Sequence, residues 1–62
     1  MEELDHLQSL AKGGNVEAQL ELGRIFLNGR GIPQDYEKAH HWFTKAADQG
    51  NAIAAHNLGY MH

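Results

Sequence analysis

Residues 14–50 read GNVEAQLELGRIFLNGRGIPQDYEKAHHWFTKAADQG, and the chain continues GNAIAAHNLGYMH over 50–62. The opening of the first stretch returns in the second: Gly14, Asn15, Ala18, Leu22 and Gly23 recur as Gly50, Asn51, Ala54, Leu58 and Gly59, each 36 positions on. Ala11 and Ala47 share the same offset. A period between about 20 and 50 residues is the signature of a solenoid, in which each unit covers its apolar face with the next.

The helix signals fall where such a unit needs them. Asn15 offers a capping oxygen, Glu17 places a negative charge in the first turn, and Ala18, Leu22, Ile25 and Phe26 follow at three-and-four spacing. The pattern predicts a helix over Val16–Asn28. Gly29, Gly31 and Pro33 cannot continue it, so Gly29-Arg30-Gly31-Ile32-Pro33 reads as a loop. Asp35 caps a further helix over Tyr36–Gln49, whose apolar stripe is Tyr36, Ala39, Phe43, Ala46 and Ala47 and whose stop is Gly50. Asn51 repeats the cap of Asn15, and Ala54, Leu58 and Met61 repeat the stripe of a fourth helix cut short at His62. Ahead of the unit, Leu4, Leu7, Leu10 and Ala11 line a first helix of about three turns that ends at Gly13 and Gly14. The small residues Ala18, Gly23, Ala39, Ala46, Ala47, Ala54 and Gly59 let neighbouring helix axes approach closely. The expected architecture is all-α, with four helices in one domain over 1–62. Residues 1–14 form a capping helix, 15–50 one complete repeat, and 51–62 the first helix of a second, truncated repeat.

Sixty-two residues leave room for one small domain, and an apolar fraction of 42% against 21% charged residues places it among chains that fold. The absence of cysteine removes disulfides, thiolate metal sites and cysteine nucleophiles. A net charge of -3 lacks the basic excess that nucleic acid or an anionic membrane surface attracts, so neither is an expected partner. The acidic start, Glu2, Glu3 and Asp5, is unlike a signal peptide, and no apolar run reaches the roughly 20 residues of a membrane span. The expectation is a soluble, cytoplasmic protein.

Residues Ala18, Leu22, Gly23 and Phe26, the loop Gly29 to Asp35, and then Tyr36, Lys38, Ala39, Trp42, Phe43, Lys45, Ala46, Ala47 and Gly50 make a dense pattern. It resembles the Sel-one-like repeat family, a branch of the tetratricopeptide superfamily whose ordinary members have a shorter turn between helices. The resemblance covers most of the chain. It implies a right-handed, tetratricopeptide-like paired-helix solenoid that acts as a non-catalytic scaffold for protein partners. Family members usually string several repeats together, whereas this chain holds one. Some secreted members bridge their helices by a disulfide and are described as penicillin-binding; with no cysteine here, those properties are not carried over.

In a paired-helix solenoid the first helix of each pair lines the concave face. The residues of the second helix that point away from its own core are Glu17, Leu20, Arg24, Leu27 and Asn28, and shifting the first and the next two by the period reaches Ile53, His56 and Tyr60. These eight are the expected strip for a peptide or protein partner. A competing reading has Leu20, Leu27, Ile53 and Tyr60 filling gaps against flanking helices. Leu58 and Met61, with nothing after them to cover the fourth helix, are the expected self-association surface, toward a second copy, a partner or a missing helix.

Chemistry finds less support. His6, His40, His41, His56 and His62 include no pair at i,i+3 or i,i+4, the spacing at which helix-borne imidazoles share a metal, so no metal site and no cofactor is expected. Protonating all five toward pH 5.5 would reverse the sign of the net charge, which is a charge effect only. Neither Ser9 nor Thr44 has an activating partner at a telling distance, Gly29-x-Gly31 lacks the strand and third glycine of a dinucleotide loop, and Trp42-Phe43 fits a core better than a base stack. A structural piece, an enzyme regulator and a metal-binding module stay open as alternatives to the interaction scaffold.

Overall fold

The computed structural model describes residues 2–29 and 31–61, so Met1, Arg30 and His62 lie outside the described residues. Four helices follow one another: α1, Glu2–Lys12; α2, Val16–Asn28; α3, Tyr36–Asp48; and α4, Ala52–Met61. Each packs on its neighbour in sequence, the α2–α3 pair most extensively, in a body 29 × 23 × 14 Å across. The fold is the all-α paired-helix arrangement expected from the sequence.

The period of 36 is present in the hydrogen bonds as well as in the letters. Asn15 Oδ1 accepts the Ala18 N–H at 2.9 Å, and Asn51 Oδ1 accepts the Ala54 N–H at 2.8 Å. The turns that lead into the two caps match: Gly14 N donates to Ala11 O at 3.1 Å and Gly50 N to Ala47 O at 2.8 Å, while Asn15 N donates to Leu10 O at 3.0 Å and Asn51 N to Ala46 O at 3.2 Å. Both glycines hold a positive φ, 102° at Gly14 and 91° at Gly50, which side-chain-bearing residues avoid. One turn device thus closes α1 and α3 and starts α2 and α4. Each asparagine cap stabilises its helix by about 1 kcal/mol relative to alanine. Asp35 does the same for α3, accepting the Lys38 N–H at 3.1 Å.

Helix α3 ends one residue sooner than expected, at Asp48, because the Gln49 N–H turns back to Ala46 and Ala47 as a cap. The Gly29–Pro33 loop is not slack. Asp35 N donates to Phe26 O at 2.9 Å, the Gln34 side-chain amide donates to Leu27 O at 2.6 Å, and Ile32 packs against the core, so the connection folds back over the end of α2.

The core is Ala11, Ala18, Leu22, Phe26, Ala39, Trp42, Phe43, Ala46 and Ala54. Its tightest point is where α2 meets α3: a Cβ added at Gly23 would lie 2.6 Å from Cδ1 and Cε1 of Phe43, so only glycine admits the ring there. Gly59, its counterpart in α4, has no such contact; nothing stands within 4 Å of the same position. The close approach expected at both glycines therefore exists at one. The second helix of the following unit, which would bring a ring to Gly59 as α3 brings Phe43 to Gly23, has no equivalent among the described residues.

Among the described residues one polar side chain, Gln19, is buried in this core. Its amide donates to Ala11 O at 2.9 Å, and its carbonyl accepts from the Gln49 amide at 2.9 Å. The end of α1, the body of α2 and the cap of α3 are thereby joined through one amide. Among the described residues no buried side-chain polar atom lacks a partner, as a small core requires when each orphan costs about 1–3 kcal/mol.

Candidate functional site

Partly covered apolar side chains and bare aromatics converge at one end of the helix stack. Leu27, at the end of α2, packs partly against the core, as does Met61 at the end of α4. Tyr36 opens α3 and is 59% exposed; Tyr60, in the last turn of α4, is 78% exposed. Together the four line a hollow of about 520 Å³. An adjoining hollow of about 440 Å³ shares Tyr36 and Met61 and adds Glu37 and His40. Among the described residues of the two linings, Glu37 is the one carboxylate or base of fixed charge.

Each liner reaches this place for a local reason. Gly29 takes φ 68° and ends α2 just after Leu27, and the bond from Gln34 to the Leu27 carbonyl pulls the loop across. Asp35 then fixes the start of α3, so that Tyr36 is its first residue and stands beside the C-terminal end of α2. In α4, Tyr60 is one period on from Arg24, and Arg24 is exposed although α2 is flanked by both α1 and α3. That register faces away from the stacking direction. Leu58 and Gly59 hold the register of Leu22 and Gly23, which are buried, so they face along it.

Of the eight residues expected to form a partner strip, the structure brings Leu27 and Tyr60 into one hollow. Glu17, Arg24, Asn28 and His56 are exposed, and Ile53 is 56% exposed, but none lines that hollow. Leu20 is half-buried against the core, as the gap-filling reading has it. Leu58 and Met61, expected to stand uncovered, are also half-buried: α3 covers one side of α4 and takes part of both. Tyr36, expected in the apolar stripe of α3, stands mostly in solvent because it precedes the turn that meets α2. The sequence contained a signal for it, an aromatic directly after the Asp35 cap, at the first residue of the helix.

The remaining polar groups make no comparable site. His40 and His41 are exposed, and the His41 ring lies edge-on to Trp42 with centroids 5.0 Å apart. Among the described residues no group of three or more His, Cys, Asp or Glu stands close enough to hold a metal ion, and none of the helices is long and apolar enough to cross a membrane. A third hollow, about 360 Å³, lies between α1 and the loop, lined by Leu4, Gln8 and the segment Ile32 to Asp35. Its floor is closed by Phe26 with the Lys38 ammonium 5.3 Å from the ring centroid.

Comparison with known proteins agrees with the repeated helical fold. The model of the Sel1 repeat matches residues 16–51 and 52–62, and the break between the two matches falls in the turn between α3 and α4. The chain is 43% identical over 49 residues, 79% of its own length, to the ERAD-associated E3 ubiquitin-protein ligase component HRD3A of Arabidopsis thaliana. It is 53% identical over 38 residues, 60% of its length, to protein sel-1 homolog 2 of Homo sapiens. It is 38% identical over 52 residues, 84% of its length, to a putative sel1-like repeat-containing protein of Acanthamoeba polyphaga mimivirus. These alignments span 7%, 6% and 10% of the respective relatives, so the chain corresponds to a small part of each. No solved structure matches it. With its period repeated in sequence, in caps and in turn bonds, and with the repeat model covering all of α2, α3 and α4, the chain belongs to the Sel1 repeat family, whose repeats commonly mediate protein–protein interaction.

Proposed function

We propose that this chain is a non-catalytic interaction module that seats a segment of a partner protein in the hollow lined by Leu27, Tyr36, Tyr60 and Met61. The observation that carries the reading is the pairing of two mostly exposed tyrosines with two half-buried apolar side chains, with no charged group among the four. Aromatic side chains over a desolvated apolar floor are what anchor residues of a ligand need. The register of Tyr60 keeps this face open when further helices stack on α4.

Peptides selected from a displayed random library against the folded domain test the proposal. Their amide chemical-shift changes are expected to gather on Leu27, Tyr36, Tyr60 and Met61. Tyr60→Glu is expected to weaken them about tenfold or more while leaving the melting temperature within a few degrees, because the side chain is 78% exposed. Shifts that gather instead around Ile32, Pro33 and Lys38, or a library that yields no binder, would overturn it.

A second reading concerns the Leu58–Gly59 face, favoured by the empty space over Gly59. A second copy or a following repeat would complete α4 there. Sedimentation velocity over a wide concentration range is expected to show reversible self-association that Leu58→Glu abolishes. A monomer at all concentrations would leave a following repeat as the cover.

A further inference from the structure

The occupant of the tyrosine-lined hollow can be narrowed by asking which backbone conformation the site is able to satisfy; this rests on the interaction reading above. Among the described residues there is no strand, so a ligand has no sheet edge to extend. A helical ligand needs anchors stacked over about two turns, roughly 10 Å of continuous apolar groove. Among the described residues the apolar lining is four side chains around one hollow, and beyond Tyr36 and Met61 it gives way to Glu37 and His40.

An extended polyproline II segment asks for what is present. It has no internal hydrogen bonds, it places successive residues about 3.1 Å apart, and its flat pyrrolidine faces pack on aromatic rings. Tyr36 and Tyr60 come from different helices and line the hollow together with Leu27 and Met61. No described residue bonds to either tyrosine hydroxyl, which leaves both able to donate to ligand carbonyls. The adjoining hollow contributes the carboxylate of Glu37, and the whole chain is acidic at -3. The complementary ligand carries a basic residue next to its prolines.

We propose that the tyrosine-lined hollow binds an extended, proline-rich segment of a partner protein, with an adjacent arginine or lysine drawn to Glu37. The segment has a low entropy to lose on binding because its conformation is preformed.

The test titrates the full chain with fluorescently labelled peptides of one length: a proline run flanked by arginine, the same run flanked by glutamine or by aspartate, and a run with alanine for proline. Anisotropy gives affinity and amide shifts give the site. The arginine–proline peptide is expected to bind at Leu27, Tyr36, Tyr60 and Met61, and Tyr60→Ala is expected to weaken it about tenfold or more. Its advantage over the glutamine form is expected to be about two- to fivefold, the scale of an exposed ion pair, and to vanish in Glu37→Gln. Alanine peptides binding as well as proline ones, or aspartate outranking arginine, would overturn the inference. If library-selected peptides seat in the hollow but proline peptides do not bind, this inference falls and the interaction module stands. If no peptide of either kind seats there, both fall.

Discussion

Gly23→Ala is expected to destabilise the domain by about 1–3 kcal/mol, and Gly59→Ala to stabilise it by up to about 1 kcal/mol, although the two glycines occupy the same place in the repeat. Alanine is the better helix former at both positions, since glycine has more backbone freedom to lose on folding. At Gly59 that gain is free, because nothing lies within 4 Å of the added methyl. At Gly23 the methyl would stand 2.6 Å from Cδ1 and Cε1 and 2.9 Å from Cζ of Phe43. The ring is fully buried against Gly23 at the α2–α3 contact, so making room for the methyl means parting α2 from α3. Thermal unfolding followed by circular dichroism reads the difference directly, at about 4–8 °C per kcal/mol for a domain of this size. Melting temperatures that move in the same direction for both variants would show that α2 and α3 do not meet ring to glycine.

Phe43→Ala is expected to leave the chain largely unfolded at room temperature. Truncating a fully buried phenylalanine removes its apolar burial and leaves a cavity, together about 3–5 kcal/mol. The core of a domain this short seldom supplies more than about 3–5 kcal/mol in total. Phe43 and Leu22 are the largest wholly buried side chains, and they sit where α2 and α3 form the most extensive helix pair. Trp42 is the single tryptophan and is itself buried, so its emission during a urea titration reports the loss. Phe43→Leu keeps most of the volume and is expected to remain folded. In that background Gly23→Ala should cost less than it does alone, because the ring atoms that meet the methyl are gone; a coupling of about 0.5–3 kcal/mol is expected. A cycle with no coupling, or a Phe43→Ala variant that keeps its native Trp42 signal, would place the weight of the core elsewhere.

Both experiments concern one contact that α4 lacks. Leu22 and Gly23 are buried; their counterparts Leu58 and Gly59 are half-buried and exposed. The Sel1 repeat relatives are ten or more times longer than the aligned segment, and a further helix on α4 is the natural completion of the register. The tyrosine hollow does not compete with that completion, because Tyr60 lies at the register of Arg24, which stays exposed in the fully flanked α2. A helix stacked on α4 and a ligand seated as proposed would therefore use different faces of the same short helix.

The local framework of this protein was legible in its letters. Asn15, Asp35 and Asn51 cap helices by accepting a hydrogen bond from three residues on, Gly14 and Gly50 close turns by their own backbone freedom, and the apolar stripes repeat at helical spacing. Each of these devices acts within one or two helical turns, so nearby residue types suffice to specify it. What tertiary structure alone decided is which surface each stripe met. Nothing in the spacing of residues marks Gln19, and it is the buried link between α1 and α3 through its bonds to Ala11 and to Gln49 thirty positions away. Tyr36 carried the apolar mark of its stripe yet stands in solvent, and Gly59 copied Gly23 without acquiring a ring to cover it. Leu27 and Tyr60 came into one hollow, while their companions on the expected strip did not. The physical reason is that burial belongs to pairs of helices: a residue's own side chain sets what it can pack against, and the neighbouring helix sets whether anything is there.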